Sequence, residues 1–79
     1  MTHAERSHTK RRLAERYGLE VSSDDLFKMA KALAHGQATL IAKQSRGVDH
    51  WLLDYQGLQL RLVFDRQRRS IITALPPLP

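Results

Sequence analysis

The stretch His50-Trp51-Leu52-Leu53-Asp54-Tyr55-Gln56-Gly57-Leu58-Gln59-Leu60-Arg61-Leu62-Val63-Phe64-Asp65 decides the fold. On both sides of Gln56-Gly57 the apolar residues alternate with a period of two, the repeat of a strand with one covered face. A strand over about 50–55 places Trp51, Leu53 and Tyr55 together. A strand over 58–65 points Leu58, Leu60, Leu62 and Phe64 one way and Gln59, Arg61, Val63 and Asp65 the other. Gln56-Gly57 is then a two-residue turn closing a tight hairpin.

Working outward, Arg66 to Arg69 form a basic turn into a further strand over 70–75, and Pro76, Pro77 and Pro79 end the ladder, because proline has no N–H to donate. Upstream, Arg46-Gly47-Val48-Asp49 reads as a turn and 38–44 as another strand. Short hairpins join all four strands, so the expected sheet is an antiparallel meander.

Before Gly36 the period becomes helical. Leu26, Met29, Ala30 and Leu33 form an i, i+3, i+4, i+7 stripe. Ser22-Ser23-Asp24-Asp25 supplies an N-cap and two acids that complement the dipole, and Val21 with Leu26 makes a hydrophobic staple. The spacing predicts a helix over 23–35, with Gly36 as the stop. An earlier helix is expected over 3–17, opened by a Thr2–Glu5 capping box and closed by Gly18. Two N-terminal helices packed on a four-stranded antiparallel meander make an α+β single domain spanning 1–79.

The composition narrows the function classes. The chain has 79 residues, no cysteine, and 13 Lys and Arg against 8 Asp and Glu, a net charge of +5; nine of the cations are arginine. A chain this short buries only roughly 60% of its unfolded surface, and no disulfide or thiolate metal site can staple it. No apolar run approaches the length of a membrane span, and the polar start has no signal-peptide core, so a cytoplasmic location without membrane contact is expected. The basic balance favours nucleic acid or an acidic protein as partner.

On a helical wheel of residues 3–17, Thr9, Leu13 and Tyr17 define the buried direction. His8, Arg12 and Arg16, each one turn from the next, form a strip along one flank. Metal-independent RNA cleavage uses such a set: a group that takes or gives a proton near neutrality, and cations that hold the developing phosphate charge. Arg12 can bind a phosphate oxygen beside His8, and a hydroxyl such as Thr73 can bond the phosphate from the last strand. The plainer reading makes His8 a solvated helical histidine and the arginines a solubilising surface.

The order His8-Thr9-Lys10-Arg11-Arg12-Leu13, then Glu15-Arg16-Tyr17-Gly18-Leu19, then Ser22-x-x-Asp25-Leu26 and Gly36, resembles a family of small phage and prophage proteins. These open with a His-Ala-x-x-Arg-Met helix and close on a strand ending Ile-Thr. Leu60-Arg61-Leu62-Val63-Phe64-Asp65-Arg66 followed by Ile71-Ile72-Thr73 is similar to that closing hairpin. The family in turn resembles the barnase, colicin and RelE-like group of RNase toxins. By position the resemblance implies a catalytic or phosphate-binding role for His8, Arg12 and Thr73. Thr9 stands where the family has Ala, and Leu13 where it has Met. Whether Thr73 can join such a site depends on register: pairing of residues 65 and 70 turns it toward the core with Leu62, and a loop one residue different turns it to the face of Arg61.

Arg11, Arg16, Arg61, Arg66, Arg68 and Arg69 are the candidate nucleic-acid contacts, with a solvated turn as the plain reading of the last three. Trp51 and Tyr55 read as sheet core before base-stacking groups. His50 reads as a strand-edge residue. The histidines show no metal-ligand spacing, so no metal and no cofactor is assigned.

Two further functions compete with a ribonuclease toxin of a mobile element. One is a non-enzymatic phage-type inhibitor of a host nucleic-acid-handling complex, for example an anti-CRISPR protein. The other is a plain RNA-binding module. Expected partners are RNA or a nucleic-acid-binding host protein, with an antitoxin or inhibitor protein and a homodimer through an edge strand as open alternatives.

Overall fold

The structure is a computed structural model that describes residues 3–78. Helix α1 spans His3–Tyr17 and helix α2 Ser23–Ala34; strands β1 Thr39–Ser45, β2 Val48–Tyr55, β3 Leu58–Asp65 and β4 Ser70–Leu75 follow. The sheet is antiparallel throughout, in the order β1-β2-β3-β4. The expected α+β architecture is therefore the one present. The Thr2 capping box and Pro79 lie outside the described residues.

Helix α2 is closed at both ends. Ser22 Oγ accepts from the Asp25 N–H at 3.1 Å while Asp25 Oδ2 accepts from the Ser22 N–H at 2.9 Å. At the far end the Gln37 N–H reaches Ala32 O at 2.8 Å and the Gly36 N–H reaches Leu33 O, with Gly36 at φ 71°. This Schellman closure ends the helix at Ala34, one residue before the expected His35.

Strand β2 begins at Val48 rather than 50, because Arg46-Gly47 alone makes the turn. Gly47 takes φ 77°, and Val48 pairs with both Ser45 and Asp65. The Gln56-Gly57 hairpin is as tight as expected, with both residues at positive φ, the type I′ arrangement that matches strand twist.

The core joins Leu13, Leu26, Met29, Ala30 and Leu33 of the helices to Leu53, Leu60, Leu62, Phe64, Ile71 and Ala74 of one sheet face. Helix α1, however, is more than a second cover for that face. It packs tightest on β4 and lies along the outer edge of that strand. An edge strand presents carbonyls that need donors. Arg16 Nη1 reaches Ala74 O at 2.6 Å, and the Tyr17 hydroxyl donates to Leu75 O at 2.7 Å while accepting from the Arg61 N–H at 2.9 Å. Buried Thr9 donates to the Ile71 and Ile72 carbonyls at 3.4 and 3.3 Å. The opposite edge, β1, has no such cover: all seven of its residues are exposed.

No helix among the described residues is long and apolar enough to cross a membrane.

Candidate functional site on the helix-free sheet face

Residues 65 and 70 do pair, yet Thr73 does not point toward the core. The register shifts between Val63 and Phe64: Phe64 faces Ile71, Val63 faces Thr73, and Ile72 is the extra residue of a β-bulge. A bulge inverts the alternation beyond it. Thr73 therefore shares a side with Val63 and Arg61, the face that carries no helix. Two neighbouring carbonyls, Ile71 and Ile72, turn toward the single Thr9 hydroxyl at this kink.

On that face His8 Nε2 stands 2.9 Å from Thr73 Oγ1. His8 and Arg16 of the α1 flank thus both border β4. His8 and Thr73 are both half-buried, so the pair is reachable from solvent. Cross-strand partners share a face, so the pairings His50 with Val63 and Val63 with Thr73 define a row: His50 on β2, Val63 on β3, Thr73 on β4, then His8 on α1. Two strand spacings, about 9.5 Å, separate the backbones at His50 and Thr73.

His50 is not the strand-edge residue expected from sequence. It lies on an interior strand and is 6% exposed. Arg61 Nε donates to His50 Nε2 at 3.4 Å, and Arg61 Nη1 donates to Pro76 O at 2.8 Å. Burial, and secondarily the Arg61 charge, hold the His50 imidazole below its ordinary value of 6.5. The ring is consequently neutral at physiological pH, and the nitrogen facing Arg61 is an acceptor. This row thus contains two histidines, a guanidinium and a hydroxyl.

The remaining arginines divide by what holds them. Arg12 lies one turn along α1 from His8, on the same flank, with its Nη1 3.2 Å from Glu15 Oε1. Arg16 is engaged at the Ala74 carbonyl and acts as scaffold. Arg11 is exposed and 3.8 Å from Glu15. Arg66 pairs with buried Asp49 at 3.0 Å, and Arg68 pairs with Glu5 at 2.6 Å and Asp65 at 3.0 Å. Arg69 borders α2. The hairpin-tip arginines therefore turn toward the helices and do not join the His8–Thr73 pair.

Register arithmetic offered a signal for His50. A two-residue turn at 56–57 places His50 opposite Val63 and diagonal to Arg61. The β4 bulge had no such signal. Among the described residues, no three His, Asp or Glu side chains gather in a way that could hold a metal ion. Comparison with protein-family models, curated proteins and solved structures finds no match to this chain.

Proposed function

We propose that the helix-free sheet face binds RNA at its half-buried His8–Thr73 rim and cleaves it without a metal ion. The observation that carries this reading is the row of His8–Thr73 and His50–Arg61 on one helix-free face. When Arg61 turns from His50 to the phosphate, the freed Nε2 of neutral His50 accepts the proton of a ribose 2′-hydroxyl as that oxygen attacks the adjacent phosphorus. Arg61 and Thr73 hold the non-bridging oxygens as negative charge grows on them, and Arg12 adds a second cation from the helix. The bond from phosphorus to the 5′ oxygen breaks, and His8 gives that oxygen a proton. The products are a 2′,3′-cyclic phosphate and a free 5′-hydroxyl. Thr73 keeps the His8 ring from rotating away from this position.

The same reading makes the chain a cytoplasmic toxin-like domain of a mobile element, in keeping with the sequence resemblance. A non-enzymatic inhibitor of a host nucleic-acid complex is the second reading. What favours it is the uncovered β1 edge, where Leu40 and Ile41 are 43% and 44% exposed and backbone groups stand ready for an added strand.

End-group analysis of RNA incubated with the protein in EDTA tests the first reading. It expects fragments ending in a 2′,3′-cyclic phosphate, and none from RNA with 2′-deoxy substitutions. Fragments ending in a 3′-hydroxyl, or cleavage of the deoxy substrate, contradict it.

A further inference from the structure

A second surface lies on the other side of α1, along the seam between α2 and the β3–β4 hairpin tip. Three adjoining hollows of about 210, 350 and 270 Å³ run along it, and Arg69 borders all three. Phe27 stands over two of them and is 65% exposed. Beside its ring, Ala30 and Ala34 are one turn apart and leave a flat step.

Unpaired cations gather along this seam. On the helices Lys28 pairs with Asp24 and Arg11 with Glu15, while Lys10 donates to the Ser23 hydroxyl at 2.9 Å. No carboxylate lines any of the three hollows. Arg6, Lys31 and Arg69 border the Phe27 hollows and make no ion pair or side-chain hydrogen bond among the described residues. Arg69 also holds φ 50°, a left-handed conformation that suits glycine better than arginine.

We infer that this seam is a binding site for single-stranded RNA, with a base stacked on Phe27 and phosphates held by Arg69, Arg6 and Lys31. An exposed ring among unpaired cations meets both needs of a nucleotide, a flat apolar surface for the base and positive charge for its backbone. An acidic peptide would use the cations and leave the flat step beside the ring unused. The inference does not depend on cleavage at the sheet face.

The test is fluorescence anisotropy with a labelled 2′-O-methyl oligouridine, which has no free 2′-hydroxyl and reports binding whatever His8 does. Wild type binds with affinity that falls as salt rises. Phe27→Ala weakens binding about tenfold. Arg69→Gly relieves the left-handed backbone, so its thermal midpoint equals or exceeds that of wild type, while its salt slope shrinks by about 0.7. Unchanged binding in both variants overturns the inference. So does polyglutamate binding as tightly as the oligonucleotide with the same dependence on Phe27, which assigns the seam to an acidic protein.

Discussion

His8 Nε2 and Thr73 Oγ1, 65 positions apart in the chain, meet at 2.9 Å across the seam between α1 and β4. The meeting depends on Ile72. Without that extra residue Thr73 would point toward the core, and His8 would have no partner on the last strand. Thr9 holds the bulge through its two carbonyls, one helical position from His8. Neighbouring residues of α1 thus secure the kink and use the side chain that the kink aims.

Thr73→Val keeps the shape and removes the hydroxyl. We predict that RNA cleavage falls on the order of tenfold to a hundredfold, from loss of a phosphate contact and of the restraint on His8. Thr73→Ser restores most of it. Single-turnover rates on labelled RNA check this. Equal rates for the Val variant and wild type would remove Thr73 from the site.

Thr9→Val buries a methyl group where a donor stood, leaving the Ile71 and Ile72 carbonyls without it. Urea denaturation should show a loss of about 1–2 kcal/mol. Because the bulge aims Thr73, cleavage under conditions where the variant is fully folded should also fall. A stability loss with no change in rate would mean that the bulge holds itself.

Tyr17→Phe tests how α1 closes the end of the β3–β4 pairing. The Tyr17 hydroxyl sits between the Arg61 N–H and the Leu75 carbonyl, and its removal leaves both without that partner. The expected cost is about 1–2 kcal/mol, read from the urea midpoint at unchanged slope. No change in midpoint would show that direct strand pairing replaces the bridge.

Stability should also respond to pH through His50. Its folded pKa is below the ordinary 6.5, so the unfolded chain binds more protons once pH falls under that value. Stability contributed by the neutral ring is present above pH 6.5 and is lost as pH falls from there toward the folded value. His50→Gln should flatten the curve in this window. Asp25 and Asp65, both held below 3.8 by hydrogen bonds from Ser22 and Arg68 respectively, act only in the more acid range. An unaltered curve in His50→Gln below pH 6.5 would contradict the burial of a neutral ring.

The strands flanking Gln56-Gly57 were legible because a one-sided sheet writes its period into the residues, and α2 because its caps and stripe agree. The strip of His8, Arg12 and Arg16 was legible from helix geometry alone. The bulge at Ile72 was not, because an extra residue leaves no mark when Ile71 and Ile72 are both apolar. His50 was overlooked for a related reason. Its surroundings come from Val63 and Arg61 on the next strand, and only the register joins them. Arg16, Arg66 and Arg68 looked like ligands for phosphate, since sequence does not reveal that Ala74, Asp49 and Glu5 already occupy them.

The central claim is that this face is catalytic and that His8 acts in it. The most direct measurement is cleavage of labelled RNA in EDTA by wild type and by His8→Ala, each shown to be folded by circular dichroism. The account predicts cleavage by wild type and a rate lower by about 10²–10⁴ in the variant, the usual contribution of a positioned acid or base. Equal cleavage by both proteins, or none by wild type, would contradict it.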